Sequence, residues 1–167
     1  MSHILRPALD RRFGEMTMAD TAVPLGITVT IVDWKGPRVR LLTAADAVRL
    51  SDAIAASSFI PGIYSRPILI DGHWALDGAW LRRCPVDEAL QMGDGRAIAV
   101  ITKSAGQLIG RFRRPRVLPV PAGARILAPP VELALSGFDF DTNRTLEAHR
   151  IGQRSAARFA RKNEAWL

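Results

Sequence analysis

Short apolar runs alternate with segments of helical spacing along the first hundred residues. Residues 25–32 are dense in β-branched side chains and predict a buried strand. Residues 38–42 alternate between polar and apolar, which predicts a returning, half-exposed strand. The Asp33–Pro37 segment between them has the composition of a turn. We therefore expect a strand pair, preceded by a short helix that ends near Phe13-Gly14.

A helix is predicted after this strand pair. Thr43, followed three residues later by Asp46, is typical of a capping box at a helix start, with Asp in place of the usual Glu. The helix should end before Pro61, since the residue ahead of a proline is pushed away from helical geometry. The positions expected on its inner face are Ala47, Leu50, Ile54 and Ser58.

Residues 68–79 contain two Asp-Gly pairs. The first, Asp71-Gly72, lies between two short apolar runs and predicts a hairpin, because glycine readily takes the positive φ of a two-residue turn. The second, Asp77-Gly78, follows the second apolar run, where the chain should leave the sheet. A turn explains this pair too, and a carboxylate held at the functional edge of a sheet is the alternative.

The later part of the chain adds a helix, a strand and a final helix. Pro85 suits a first helical position, and Gly93 suits the end of that helix. Residues 97–101 predict a strand covered on both faces. Residues 131–136 suggest a helical turn, and the last helix is expected to start at Thr142 or Asn143. Its predicted inner positions are Ala148, Ile151, Ser155 and Phe159, and its outer ones are Arg150, Arg154, Arg158 and Arg161.

This order of elements predicts an α/β protein of one domain over residues 1–167. We expect a core at about 22–102, a basic loop at about 103–128 and a C-terminal helical part at about 129–167. Hydrophobic residues make up 48% and charged residues 23%, as in ordinary globular proteins. No run has the roughly 18 apolar residues of a membrane span. Without a signal peptide, and with Cys84 as the only cysteine, a cytoplasmic location is expected, with peripheral membrane association as a further possibility.

The positive charge is concentrated at the C-terminal end. Residues 1–102 carry 11 basic and 11 acidic side chains, whereas residues 103–167 carry 12 and 5, so the whole excess of +7 lies there. Arg111–Arg116 is the densest basic patch. A solvated helix face with a mobile surface loop explains this charge, and an anionic membrane or partner surface is the alternative. Nucleic acid is not favoured, because no recognisable nucleic-acid-binding motif surrounds the patch.

The usual catalytic motifs are missing from this sequence. His3, His73 and His149 lack partners at metal-ligand spacing, so neither a metal nor a cofactor is expected. The sequence contains no Gly-x-Ser-x-Gly elbow and no phosphate-binding glycine loop. Sequence order alone leaves a Ser-His-Asp triad open, since triads are defined in space.

Four motifs in order resemble the patatin-like phospholipases over most of the chain. They are Ala56-Ser57 with Pro61, the Ile70-Asp71-Gly72 hairpin, Asp77-Gly78-Ala79, and Pro85-Val86 with Ala89. The resemblance implies a Ser-Asp dyad that hydrolyses lipid acyl esters such as phospholipids. In that dyad Asp77 would be the general base, with Gly78 and Ala79 as motif neighbours.

The resemblance also has two departures. Cys84 stands where the family usually has Asn, and the family's first strand, oxyanion loop and serine elbow precede the region matched. We therefore expect a partial patatin-like three-layer sandwich without its N-terminal strands, carrying the dyad Asp but no nucleophile and inactive by itself. The alternative is a non-catalytic module whose basic C-terminal region binds anionic membranes or a partner chain. A sheet without its central strands would also favour self-association, or a partner that supplies the missing half.

Overall fold

The structure is a computed structural model that describes residues 2–63, 67–103, 107–109, 115–117, 119–133 and 141–167. Contacts between backbone positions divide the chain into two compact units, Met1–Met92 and Gly93–Leu167. The helices and strands of both units confirm the α/β class.

The first unit contains three helices and four strands. In chain order they are α1 (Ser2–Phe13), β1 (Ile27–Asp33), β2 (Gly36–Leu42), α2 (Leu50–Ser57), β3 (Ile68–Ile70), β4 (His73–Asp77) and α3 (Val86–Met92). The strand order in the sheet is β2-β1-β4-β3, and every neighbouring pair is antiparallel. The two predicted hairpins form because tight turns join strands that are adjacent in the chain.

The core of this unit lies on one face of the sheet. Val29 and Ile31 alternate along β1 and are fully buried, and Ala75 of β4, which pairs with Ile31, is buried beside them. They cluster with Ala53 and Ala56 of α2. Because these α2 side chains are small, the helix packs closely on the sheet.

The opposite face of the sheet carries apolar side chains that remain accessible. Trp74 of β4 pairs with Val32 of β1 and with Leu69 of β3, so the three share this face. Trp74 is 59% exposed and Leu69 is 56% exposed. The sheet of this unit therefore has apolar side chains on both faces, and the face that carries Trp74 and Leu69 is only partly buried.

The helix predicted to start at Thr43 starts at Leu50 instead. Asp46 does accept hydrogen bonds from the Thr43 N–H, at 2.8 Å, and from its hydroxyl. The segment that follows pairs with an earlier part of the chain, since the Met18 N–H donates to the Val48 carbonyl at 3.1 Å. This tertiary pairing keeps the backbone before Leu50 out of the helix. The predicted end of the helix, before Pro61, is correct.

Among its described residues, the second unit contains four strands and one helix: β5 (Ala97–Val100), β6 (Gln107–Ile109), β7 (Pro115–Val117), β8 (Ala124–Leu127) and α4 (Thr142–Lys162). Strands β5 and β8 are parallel, and β6 and β7 are antiparallel. The segment 103–128, expected to be a loop, thus contains three short strands. Each is only three or four residues long. β6 and β7 pair with each other, whereas β8 pairs with the distant β5, which a Pro- and Gly-rich sequence does not reveal.

Strand β5 is covered on one face only, contrary to the prediction. Ala99 is buried, whereas Val100 is 70% exposed. Residues 131–133 are not helical, and the rest of the predicted turn, to residue 136, lies outside the described residues. Residues 111–114 of the basic patch also lie outside them.

The last helix agrees closely with its prediction. α4 starts at Thr142, and the Asp141 carboxylate caps it by accepting a hydrogen bond from the Arg144 N–H at 2.8 Å. The four predicted inner positions, Ala148, Ile151, Ser155 and Phe159, are half-buried, and the four predicted outer arginines are exposed.

The Asp46 carboxylate provides a test of the first unit. Burial opposes its charged form, but hydrogen bonds from Arg40, at 2.7 Å, and from Thr43 outweigh that effect and hold the pKa of Asp46 below its ordinary value. Asp46→Asn is expected to lower the free energy of unfolding at pH 7 by about 1–3 kcal/mol, because three donor groups of Arg40 and Thr43 lose a charged acceptor. Urea unfolding measures this change.

The pH dependence of this effect follows from the direction of the pKa shift. A lowered pKa contributes stability above the unfolded value of about 3.9, and this contribution is lost as the pH falls through the folded pKa. The gap between the wild type and Asp46→Asn should therefore close in acid. Asp71→Asn is the control, since Asp71 also contacts Arg40 but its side chain is 60% exposed, and it should cost within about 1 kcal/mol. Equal losses at the two sites would contradict the assignment.

Candidate active site

The backbone of Asp77 is held from two directions at the end of β4. Asp77 pairs with Val29 of β1, and its N–H donates to the Phe59 carbonyl, just beyond α2, at 3.0 Å. The hydroxyl of Thr30, itself buried, donates to the Asp77 carbonyl at 3.1 Å. These bonds leave the residue little freedom to move relative to the sheet.

The Asp77 carboxylate is oriented by the turn that follows it. Its Oδ1 accepts a hydrogen bond from the Ala79 N–H at 2.8 Å and so caps the 3₁₀ turn Gly78–Trp80. Within the part of the chain that the structure describes, Oδ2 has no hydrogen-bond partner. The side chain is half-buried. One oxygen is thus fixed, and the other is able to accept a proton.

Gly78 is required by close packing. A Cβ added to this buried residue would lie 2.5 Å from the Thr28 carbonyl oxygen and 2.8 Å from the Thr28 hydroxyl. Because one of these atoms belongs to the backbone of β1, the clash could not be relieved by turning a side chain. Ala79, by contrast, is exposed.

Ser57 contributes a contact to this region that the spacing of the motifs did not predict. Its hydroxyl donates to the same Thr28 carbonyl at 2.9 Å and fastens the end of α2 to β1. Among the described hydrogen bonds, none joins Ser57 to the Asp77 carboxylate. The Ala56-Ser57 pair was the available signal, but it did not reveal which atom the serine would contact.

The other Asp-Gly pair forms the turn of the hairpin between β3 and β4. Asp71 and Gly72 have φ values of 49° and 76°, as a two-residue hairpin turn requires. The predicted turn is therefore confirmed.

Cys84 and the histidines are the other side chains that could act as a nucleophile or as metal ligands. Burial, and then the Glu88 carboxylate, raise the pKa of the Cys84 thiol, which disfavours the reactive thiolate. His73 and His149 are exposed, and the side chain of His3 is outside the described part. Across the described ranges, no group of three or more His, Cys, Asp or Glu side chains could hold a metal ion.

The model of the patatin-like phospholipase family matches residues 1–90. The chain belongs to this family. Among curated proteins, no sequence matches the chain. The match covers the first unit and includes the hairpin and the Asp77 turn, so these elements form part of a patatin-like α/β domain. The second unit lies beyond the matched residues.

The described helices also bear on membrane association. None of them is both long enough and apolar enough to cross a membrane.

Gly78→Ala tests the packing of the Asp77 turn. The variant is expected to lose about 1–3 kcal/mol of unfolding free energy, because its methyl group would overlap the Thr28 carbonyl. Gly152→Ala is the matched control, because Gly152 lies within α4 with nothing near its added Cβ. That control should gain up to about 1 kcal/mol from helix propensity. Chemical unfolding measures both changes, and a neutral Gly78→Ala would contradict the close approach.

Proposed function

We propose that this patatin-like chain carries the general base of a lipid acyl hydrolase, Asp77, and has no esterase activity by itself. The observation behind the proposal is the fixed carboxylate at the end of β4, with Oδ1 held by the Ala79 N–H and Oδ2 open. A base within hydrogen-bond reach of a serine hydroxyl can remove its proton during attack on an ester carbonyl. Oδ2 is the atom that would receive that proton.

An acyl substrate fits the apolar residues that adjoin this carboxylate in the chain. Trp80 and Leu81, directly after the turn, are 55% and 45% exposed. Ile60 follows the residue whose carbonyl binds the Asp77 N–H, and it is 38% exposed. Accessible apolar side chains at these positions are suited to contact a hydrocarbon chain. They support lipid esters over small polar esters as the substrate class.

The expected inactivity follows from what the chemistry needs besides a base. Acyl transfer requires a nucleophile and preorganised donors for the oxyanion, and the donors usually supply the largest part of the rate acceleration. The 167 residues contain no Gly-x-Ser-x-Gly, and the Ser57 hydroxyl is bonded to a backbone carbonyl. The base alone should therefore give no turnover.

Ester hydrolysis tests this proposal in two steps. The purified chain should release no p-nitrophenol from short-chain p-nitrophenyl esters above the buffer rate. Fused behind the front half of an active patatin-like phospholipase, which supplies serine and oxyanion donors, it should hydrolyse them. In that fusion, Asp77→Asn should reduce kcat at least about 100-fold, as expected for loss of a general base.

Asp71→Asn is the matched control in this assay, because it alters the other Asp-Gly pair of the same hairpin and should leave kcat unchanged. Turnover by the fusion that survives Asp77→Asn would refute the assignment of the base. Turnover by the chain alone would refute the proposed inactivity.

A second candidate function is an interaction module, favoured by the exposed sheet face of the first unit. Trp74 and Leu69 lie side by side on adjacent strands, and both are more than half exposed. Adjacent exposed apolar side chains on a sheet are typical of a surface that another polypeptide covers. A second copy of this chain, or a chain that carries the nucleophile, would bury them.

Light scattering after size exclusion tests this second function. The wild type should show a mass that rises with concentration, and Trp74→Lys should shift it toward the monomer, since a charge would have to be desolvated in the interface. His73→Lys adds the same charge to the neighbouring, exposed residue of β4 and should have little effect. A wild-type monomer at all concentrations would exclude self-association.

A further inference from the structure

A cleft in the second unit lies outside the residues that match the family. It has a volume of about 480 Å³ and is formed by β8, the residues that follow it and one side of α4. This volume falls within the range of about 300–1,000 Å³ that is usual for small-molecule sites. All of its lining residues lie between positions 125 and 163, so the cleft belongs to one compact unit.

The cleft is apolar along its length. Ile126 and Leu127 line it from β8, and Ile151 and Phe159 line it from α4. These four side chains are half-buried. Val131 also lines the cleft and remains 53% exposed. Because this apolar surface remains in contact with solvent, covering it with a hydrocarbon ligand would make binding more favourable.

The charged residues of the lining are all basic. Arg154, Arg158 and Lys162 succeed one another at four-residue spacing along α4, and Arg125 extends from β8. The lining contains no Asp or Glu. Its charge is therefore complementary to an anion.

Among the described residues, two of these cations contact neither a carboxylate nor an aromatic ring. Arg154 contacts Glu147 at 3.0 Å, and Arg125 lies over the Trp166 ring at 5.1 Å. For Arg158 and Lys162, the described part of the chain offers no ion pair. Like charges at four-residue spacing destabilise a helix. The helix dipole favours Lys162 in the last turn, but this effect is weak one turn earlier, at Arg158.

We propose that this cleft binds a long-chain fatty acid, with the hydrocarbon chain against the apolar walls and the carboxylate near Arg158 and Lys162. A guanidinium pairs with a carboxylate through two parallel hydrogen bonds, which suits Arg158 to this ligand.

The concave shape of the cleft suits one hydrocarbon chain better than it suits a membrane surface. Membrane binding would need several apolar side chains on the outer side of α4, which faces away from the cleft. That outer side carries the exposed Arg150 and Arg161, and Leu146, 50% exposed, is its one large apolar side chain. The proposal does not depend on Asp77.

Calorimetric titration of the full chain with saturated fatty acids of 8 to 16 carbons, below their aggregation concentrations, is the first test. Affinity should rise about fourfold per buried methylene and level off once the cleft is full. The uncharged methyl ester of the best ligand should bind at least about tenfold more weakly, because it lacks the carboxylate. No binding at any chain length, or equal binding of acid and ester, would overturn the proposal.

A matched pair of charge reversals on α4 localises the site. Arg158→Glu should weaken fatty-acid binding at least about tenfold, because the introduced carboxylate repels the ligand at close range. Arg161→Glu makes the same change in net charge on the same helix but away from the cleft, so it should weaken binding less than about twofold. Circular dichroism checks that both variants keep α4.

Anionic vesicles of mixed phosphatidylglycerol and phosphatidylcholine separate this site from general surface attraction. One outcome is that the two variants weaken fatty-acid binding equally and show the same fall of vesicle binding with salt. In that case the basic residues of α4 attract anions through their general surface charge, and the cleft proposal is wrong. Loss with Arg158→Glu alone supports the cleft.

Discussion

The backbone carbonyl of Thr28 brings together three segments of the first unit: β1, the end of α2 and the turn after β4. It accepts the Ser57 hydroxyl from the end of α2, and the Cα of Gly78 packs against it from the turn after β4. One backbone oxygen at the start of β1 thereby sets the position of a helix end and of the turn that follows Asp77. The hydrogen bond between the Asp77 N–H and the Phe59 carbonyl joins the same two segments a second time.

This arrangement explains how a short motif can hold a carboxylate without a large polar network. The Asp77 main chain is bonded through both its N–H and its carbonyl, and its side chain caps the turn that it begins. Acid–base catalysis depends on such positioning, because a misplaced carboxylate loses the hydrogen-bond geometry that proton transfer needs. The patatin-like unit thus supplies a rigid support for the proposed base, whichever chain supplies the serine.

In the second unit, charged and apolar side chains are arranged along one helix, α4. α4 has half-buried positions at three- and four-residue spacing on one side, and arginines occupy several of its exposed positions. Helical periodicity explains the half-buried positions. A need for solubility would explain exposed charges of either sign, but it does not explain why the cations of the cleft have so few carboxylate partners. The proposed fatty-acid site therefore accounts for the four cations of the cleft and not for the whole excess charge of the chain.

The sequence by itself determined the features that depend on neighbouring residues. The Asp71-Gly72 hairpin, the start of α4 and its inner positions follow from turn chemistry, capping and periodicity, all of which act over a few residues. Only the tertiary structure decided where α2 begins, since Met18 pairs with Val48 across thirty positions of sequence. The same holds for the parallel pairing of β5 with β8 and for the contact of Gly78 with Thr28. Asp77-Gly78 could be recognised as a motif from the sequence, but the reason that glycine must occupy position 78 is a backbone oxygen fifty residues earlier.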